Sequence, residues 1–367
     1  MALQLDWISG EGLRVATTPE TAPHRRRFAF AALASAIVMM SAVAFAIGYF
    51  LRPAPVNSLH RVSIMVPENG YLVDSIALSP NGEMLVFQVL DRNGRSRLWL
   101  RSFDFQDPRP IPGTDGALYP FWSPDSRFIA FFNDRELNRV DLFGSSPQLV
   151  CKLPAGTDAR GGAWNQYGQI ILGTTDNTQG LYIVDSEGGI PRPLTQFDQT
   201  RKEYEHSWPS FLPDGRHFLY MARNWAGRAS INVGATDTDP IQYLCDAESG
   251  ACFAPSGNLL FVRNSSLYAQ GFDASARALR GDPVLLEKDL DSTLGIDQRF
   301  SVSSTGKLAY IPGRALWATE AALVERTGMG LYAEYNPHPD GRFMMNRRIN
   351  RPKAVNVILN WPALLGR

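Results

Sequence analysis

Seven short segments of the chain resemble one another and recur at a nearly constant interval. Each places a tight turn before an apolar strand. Their starts lie 42 to 49 residues apart, except for the last, which follows after 35. The segments are SPNGEMLVF (from Ser79), SPDSRFIAF (Ser123), NQYGQIILG (Asn165), LPDGRHFLY (Leu212), APSGNLLFV (Ala254), SSTGKLAYI (Ser303) and HPDGRFMMN (His338). A turn and strand that repeat about every 40 to 50 residues are typical of β-propeller blades.

The pattern inside one repeat predicts four strands per blade. In the second repeat, short strand-like segments at 120–123, 127–132, 137–142 and 148–153 are separated by turn residues. Pro-Asp-Gly and Asn-Gly form such turns because Pro presets φ and Gly tolerates positive φ. We therefore predict an all-β fold over residues 60–367, a β-propeller of six to seven four-stranded blades.

A ring of blades must close, and two leftover segments suit that role. HRVSIMVP (60–67) precedes the first motif and VNVILNW (355–361) follows the last, so we predict that they lie antiparallel in one composite blade. The short last interval predicts a weak blade at about 315–335. There LWATEAALVER (316–326) has a partly helical composition.

An uncharged apolar run extends from Phe28 to Leu51. As a helix it rises about 36 Å, enough to cross a hydrocarbon core of about 30 Å. Arg25 to Arg27 precede it and only Arg52 follows closely, so the positive-inside rule places the N-terminus in the cytoplasm. A signal peptide cleaved at Ala44-Phe45-Ala46 is the alternative; the continuation of the apolar run beyond that point favours a membrane anchor.

These features divide the chain into a cytoplasmic disordered tail (1–27), one transmembrane α-helix (28–51), a linker (52–59) and the propeller. We expect a single-pass protein of the cytoplasmic (inner) membrane with its propeller in the periplasm or outside the cell. Basic and acidic residues balance at 36 each, so no nucleic-acid partner is expected. Cys245 and Cys252 are predicted to lie about three strand spacings apart, too far for a disulfide. We expect all three cysteines, including Cys151, to act as small buried hydrophobic residues.

Chemistry-bearing motifs are few. No serine stands in a Gly-x-Ser-x-Gly motif and the five histidines lack metal-ligand spacing. We therefore predict no catalytic residue, no cofactor, no metal and no enzyme activity. The weak ligand-binding candidates are His206, at a point where a propeller can present it to its central channel, and Trp208, Trp122 and Trp164. The alternatives are a satisfied strand-edge histidine and aromatic wedges between blades.

Several charged residues are expected to have structural roles rather than to bind a ligand or a metal. Asp125, Asp214 and Asp340 recur at one motif position, which Asx turns explain. Asp176, Asp237 and Asp239 lack the spacing of a Ca²⁺ loop. The stretch TRKEYEH (200–206) reads as an ordinary charged loop.

The turn-strand motif resembles the WD40-like (TolB-type, PD40) repeat. The chain is also similar, over most of 24–315 and about 331–367, to the extracytoplasmic sensor region of bacterial eukaryotic-like transmembrane serine/threonine protein kinases. The motifs are HRRR before the apolar run, RVSIMVPENG, SRLWLRSFD, IPGTDGALYPFWSPDSRFIAFF, HSWPSFLPDGRHFLY and VILNW. The chain departs from those kinases in having only 27 residues before the apolar run, no His-Arg-Asp or Asp-Phe-Gly motif, and a shortening near 328–331.

Three hypotheses follow. The first is a membrane-anchored extracytoplasmic β-propeller, a non-catalytic sensor-type module that binds an unidentified protein or small ligand. The second is the sensor portion of a receptor-type serine/threonine protein kinase whose catalytic domain is missing or encoded upstream. The third is a non-functional remnant.

Overall fold

The computed structural model describes residues 39–41, 61–65, 70–91, 94–104, 107–144, 146–288, 290, 299–311, 319–324, 336–337, 343–348, 354–358 and 361–365. The chain forms two compact units, Met1–Asn57 and Ser58–Arg367. In the first unit, residues 39–41 are helical, and the rest of the predicted tail, transmembrane segment and linker lies outside the described residues. No helix within the described part is long and apolar enough to cross a bilayer.

The second unit contains, in the residues that the structure describes, six four-stranded sheets and one three-stranded sheet. Strand β1 (Arg61–Met65) opens the unit, and five blades of consecutive antiparallel strands follow. Blade one has β2 (Gly70–Leu78), β3 (Met84–Asp91), β4 (Ser96–Ser102) and β5 (Arg109–Pro110). Blade two has β6 (Leu118–Trp122), β7 (Phe128–Asn133), β8 (Glu136–Asp141) and β9 (Gln148–Lys152), and blade three has β10 (Ala159–Trp164), β11 (Gln169–Thr174), β12 (Tyr182–Asp185) and β13 (Arg192–Pro193). Blade four has β14 (Glu203–Phe211), β15 (His217–Asn224), β16 (Ala229–Ala235) and β17 (Gln242–Asp246), and blade five has β18 (Cys252–Ala254), β19 (Asn258–Arg263), β20 (Ser266–Asp273) and β21 (Ala278–Glu287).

Blade six is assembled from both ends of the unit. It begins with β22 (Phe300–Val302) and β23 (Leu308–Tyr310), and its order is β22, β23, β27, β1. The chain first leaves this blade to form the three-stranded sheet of β24 (Thr319–Val324), β25 (Asn336–Pro337) and β26 (Phe343–Arg348). It returns as β27 (Ala354–Ile358), which pairs antiparallel with β1, and a 3-10 helix (Trp361–Leu364) follows. The predicted composite blade is confirmed.

The blades close into a ring of six. The first strands contact one another in a cycle, β2 to β6, β10, β14, β18, β22 and back to β2, so they surround the centre. A separate apolar core lies between each pair of neighbouring blades, including blades six and one, where Leu85 and Phe87 meet Ala309 and Val357. The second strands read as apolar runs because each is covered on both faces.

The seventh motif contributes no blade. Its strand β26 pairs with β24 and β25 instead of joining the ring. The prediction of partial helix at 316–326 is wrong for Thr319–Val324, which form β24 and pair with β26, because tertiary pairing overrides a weak helical propensity. The six other motifs form the turns after the inner strands.

Those turns are tied together across blades. The amide of Asn81 donates to Ser126 Oγ at 3.0 Å, the Asn165 side chain donates to the Gly215 carbonyl at 2.7 Å, and the Ser304 amide donates to the Pro80 carbonyl at 2.9 Å. The aspartates act as the Asx interpretation predicted, since Arg127 N–H donates to Asp125 and Arg216 and His217 N–H donate to Asp214. Asp340 lies outside the described residues.

The cysteines give a first testable prediction. Cys245 lies in the outermost strand of blade four and Cys252 in the innermost strand of blade five, and Cys151 is buried in the core between blades two and three. Burial raises the pKa of the Cys151 thiol to about 12. Burial is also the main cause of the raised pKa of the Cys245 thiol. Because the thiolate is the reactive form, we expect a thiol reagent at pH 8 to leave Cys151 and Cys245 of the folded chain unlabelled and to label them after unfolding. Rapid labelling of the native protein would contradict this packing.

Candidate functional site

Trp122 and Trp164 occupy packing positions. Trp122 is buried between blades one and two, and its indole N–H donates to the Ala77 carbonyl at 3.0 Å. Trp164 is partly buried against the core between blades two and three, with its ring centroid 6.1 Å from that of Phe128. A ligand-binding role for these two tryptophans stays a prediction.

Trp208 reaches toward the centre of the ring. It lies at a β-bulge of β14 and has a φ of 55°. Its ring meets Tyr119 of blade two edge-on at 5.1 Å. A Cβ at Gly161 of blade three would lie 2.5 Å from the indole, and one at Gly250, before blade five, would lie 2.5 Å from Trp208 Cβ. The glycines therefore make room for this side chain.

The indole N–H of Trp208 and the hydroxyl of Ser207 are buried and have no hydrogen-bond partner in the part of the chain that the structure describes. A left-handed φ at a non-glycine residue costs about 1–3 kcal/mol, so the surrounding contacts must hold Trp208 in place.

His206 does not face the channel. It lies within β14 and its side chain is fully buried toward blade three, between the rings of Phe197 at 5.0 Å and Tyr220 at 4.7 Å. Its partners are side chains rather than backbone: Nδ1 lies 2.8 Å from Thr195 Oγ1 and Nε2 lies 3.0 Å from Glu203 Oε2. The ring is thus satisfied, as the alternative of a satisfied strand-edge histidine holds, although by side chains rather than by backbone, and a ligand-binding role for His206 stays a prediction.

The hydrogen bonds around His206 fix its tautomer. A carboxylate oxygen can only accept, so the His206 ring proton that faces Glu203 is on Nε2, and Nδ1 of this tautomer accepts from the Thr195 hydroxyl at 2.8 Å. Thr195 Oγ1 in turn accepts the Leu181 N–H at 2.8 Å. The proton on Nε2 then points at the Glu203 carboxylate, whose same oxygen also accepts the Asp198 N–H at 2.9 Å. Two donors thus orient Glu203 from inside the blade.

Glu203 borders a cleft of about 250 Å³ between blade four and the segment that enters it. The cleft lies at the end of blade four opposite the motif turns. We call it the blade-four cleft. The polar and aromatic residues that line it are Arg201, Glu203, Asn224, Arg228, Tyr243 and Asp246.

Internal contacts order one wall of the cleft. The Arg201 guanidinium lies 4.5 Å from the centre of the Tyr243 ring and forms an ion pair with Asp198 at 3.8 Å. The Tyr243 hydroxyl donates to Asp246 Oδ1 at 3.0 Å. Burial and then this hydrogen bond raise the pKa of Tyr243, so it remains a neutral donor at physiological pH.

Sequence reasoning missed the cleft. It assigned residues 200–206 to a charged loop, yet Glu203 begins β14 and is buried. The cleft residues come from separate segments on several strands, and no motif spacing relates them. An exposed aromatic near 224–228 was the available signal: Trp225 is 70% exposed, stacks on Tyr204 at 4.4 Å and lies in the hairpin loop between β15 and β16.

A second charged cluster links blades four and five at the opposite end. His217 Nδ1 lies 2.5 Å from Asp214 Oδ2, and Arg277 of blade five donates to His217 Nε2 at 2.8 Å. Asp237 pairs with Arg216, whose hydrogen bond lowers the Asp237 pKa. Within the described residues no group of His, Cys, Asp and Glu has the arrangement of a metal site. Arg277 Nη1 reaches His217 and Asp239 of blade four, so the cluster serves as an inter-blade tie.

No family model and no curated protein matches the sequence. Among solved structures, TolB from Acinetobacter baumannii is similar at a TM-score of 0.47 and 16% identity, over 60% of this chain and 54% of that chain. Puromycin hydrolase matches at 0.49 and 14% identity, over 75% and 58%. Oligogalacturonate lyase from Vibrio parahaemolyticus matches at 0.41 and 12% identity, over 70% and 94%. The chain thus spans about half of the TolB chain, and the similarity concerns the propeller fold.

The prediction that the protein is not an enzyme is corrected by these comparisons. The similar solved structures include a hydrolase and a lyase, and acylaminoacyl peptidase is among them as well. The lack of a nucleophile motif in the sequence does not establish that the protein has no enzyme activity.

Proposed function

We propose that the protein is a ligand-binding, sensor-type propeller whose binding site is the blade-four cleft. The observation that carries this proposal is Glu203, whose side chain is only 7% exposed. His206 and the Asp198 amide hold Oε2, while Oε1 has no hydrogen-bond partner among the described residues. Oε1 is not enclosed by the protein but opens onto the cleft, where a ligand can donate a charge-assisted hydrogen bond to it.

The membrane anchor belongs to the same proposal. The apolar run from Phe28 to Leu51 and the arginines before it support a single-pass helix with the propeller on the extracytoplasmic side. The ligand then reaches the cleft from the periplasm or the cell exterior. An alkaline phosphatase reporter fused after Arg367 should be active in intact bacteria, since that enzyme requires export. An inactive fusion of normal abundance would contradict this orientation.

A second candidate function is the sensor portion of a receptor-type serine/threonine protein kinase. The similarity of HRRR, RVSIMVPENG, IPGTDGALYPFWSPDSRFIAFF and VILNW to such sensor regions favours it. The DNA immediately upstream distinguishes the two candidates: an in-frame kinase domain supports the receptor kinase, and its absence supports a separate binding protein. The cleft has the same role in both.

A thermal-shift screen tests the binding function. The full-length chain, purified in mild detergent, is heated with representatives of four ligand classes: α-amino acids, dipeptides, hexoses and nucleotides. We expect one class to raise the melting temperature, because a ligand bound at 100 times its Kd stabilises by about 2.7 kcal/mol. Arg228→Gln, which changes an exposed cleft residue, should remove the shift.

The chain offers a matched control for that variant. Arg95 is an exposed arginine in the corresponding loop of blade one, and its amide donates to the residue four positions earlier, as the Arg228 amide does. Arg95→Gln should keep the ligand shift. If no class shifts the melting temperature, or if Arg228→Gln responds like the parent chain, the cleft is not the binding site.

A further inference from the structure

Two groups of opposite charge in the blade-four cleft lack partners. One is Glu203 Oε1, described above. The other is the Arg228 guanidinium, which is exposed and forms no hydrogen bond or ion pair within the residues that the structure describes; its backbone amide alone is bonded, to Asn224 Oδ1 at 3.0 Å. Both residues border the same cleft, one on the innermost strand and one at the start of the third.

The other two charged residues of the cleft are held in place by internal contacts. Arg201 lies over Tyr243 and pairs with Asp198, and Asp246 accepts the Tyr243 hydroxyl. An incoming ligand meets Glu203 Oε1 as a negative acceptor and the Arg228 guanidinium as a positive donor that no internal contact holds. A purely anionic ligand would leave Glu203 unsatisfied beside it, and a purely cationic ligand would lie beside Arg228 without a counter-charge.

The cleft is small and suits a small ligand. Its volume of about 250 Å³ lies below the range of about 300–1,000 Å³ that is usual for drug-sized ligands. Resting on the proposed binding function, we propose that the cleft binds a small zwitterion, a free α-amino acid, with its ammonium group on Glu203 and its carboxylate on Arg228. Guanidinium and carboxylate match in geometry, which favours this assignment for the carboxylate.

His206 and Thr195 act as positioning residues in this proposal. They hold the Glu203 carboxylate so that Oε1 points to the cleft before any ligand arrives. A preorganised acceptor loses little conformational entropy on binding, which raises the affinity for a ligand with few atoms.

Isothermal titration calorimetry on the full-length chain tests the proposal. The probes are glycine, L-leucine, L-glutamate and L-lysine, together with N-acetyl-L-leucine, which lacks the ammonium group, and L-leucinamide, which lacks the carboxylate. We expect at least one amino acid to bind. Where it is leucine, each analogue should bind about tenfold or more weakly; otherwise the corresponding analogues of the bound amino acid are used. Arg228→Gln should weaken binding by a similar factor and Arg95→Gln should leave it unchanged. In Glu203→Gln, which removes the partner of the ammonium group, the difference in affinity between leucine and N-acetyl-L-leucine should become smaller.

The outcomes separate this proposal from the binding function. If a hexose, dipeptide or nucleotide binds in a manner that depends on Arg228, the cleft is a binding site and the zwitterion proposal is wrong. Equal affinity for leucine and its N-acetyl form also overturns the zwitterion proposal. If no probe binds and no ligand class shifts the melting temperature, both proposals fail. Arg228→Gln keeps the test valid if Glu203→Gln does not fold.

Discussion

Removing residues 354–367 is expected to abolish the cooperative unfolding transition of the propeller. This deletion takes away β27, which lies between β23 and β1 in blade six. It also removes Val355, Val357, Ile358 and Trp361, each of them at most 1% exposed. At about 1.5–3 kcal/mol for each large apolar side chain, the lost burial is about 6–12 kcal/mol, comparable with the total stability of a typical domain.

The measurement is circular dichroism and urea denaturation of the truncated and complete chains. A milder variant, Trp361→Ala, should lower the free energy of unfolding by about 3–5 kcal/mol and remain folded. The control is Ile190→Ala, which changes a side chain that is 88% exposed and should alter stability by less than about 0.5 kcal/mol. A truncated chain that still unfolds in one steep transition would show that the ring does not depend on β27.

This closure could be predicted from sequence because it depends on local patterns. HRVSIMVP and VNVILNW are apolar strand-like segments with no partner among the repeats, and a ring of blades leaves exposed edges unless its ends pair. Six of the motifs were assigned to the right turns for the same reason. The seventh was not, because HPDGRFMMN has the same local pattern and only the pairing of β26 with β24 and β25 excludes it from the ring.

Gly180→Ala is expected to have the second large effect. A Cβ at this position would overlap Thr195 Oγ1 and His206 Nδ1 and would lie 2.9 Å from the Thr195 carbonyl oxygen. The last contact is with backbone, which cannot move aside as a flexible side chain can. Overpacking typically costs about 1–3 kcal/mol and the lost hydrogen bond about 1 kcal/mol, so we expect a destabilisation of about 2–4 kcal/mol.

The same variant should also lose ligand binding. Displacing His206 removes one of the two donors that orient Glu203, so binding at the blade-four cleft should fall about tenfold even at temperatures where the chain is fully folded. Urea denaturation and calorimetry measure the two effects separately. Gly144→Ala is the matched control, because a Cβ there meets no atom within 4 Å. Unchanged stability of Gly180→Ala would contradict the packing around His206.

The orientation of His206 and Trp208 could not be predicted from sequence for a physical reason. Two residues apart on a regular strand, they would point to the same face. In β14 the register shifts between Ser207 and Ser210, and the left-handed φ of Trp208 turns its side chain to the ring centre. A bulge of this kind depends on the partner strand and on space left by glycines in other blades, so the sequence of β14 alone does not reveal it.

The blade-four cleft was hidden for a related reason. Its position depends on how residues 194–202 cross from blade three to blade four, and loop paths follow from tertiary packing rather than from periodicity. Thr195, His206 and Glu203 meet because Gly180 permits a close approach of the two blades. Chemistry assembled in this way has no sequence motif.

The pairing of β1 with β27 closes the ring of six blades. An engineered disulfide between these two strands tests the pairing directly. Val62 and Val357 are Cα partners in the antiparallel pair. Partners in such a pair lie about 4.5–5.5 Å apart, within reach of a disulfide. The double variant Val62→Cys/Val357→Cys should form this bridge on mild oxidation, seen by mass spectrometry of proteolytic peptides, and the bridge should raise the melting temperature. A folded double variant with two free thiols at these positions would contradict the six-bladed closed ring.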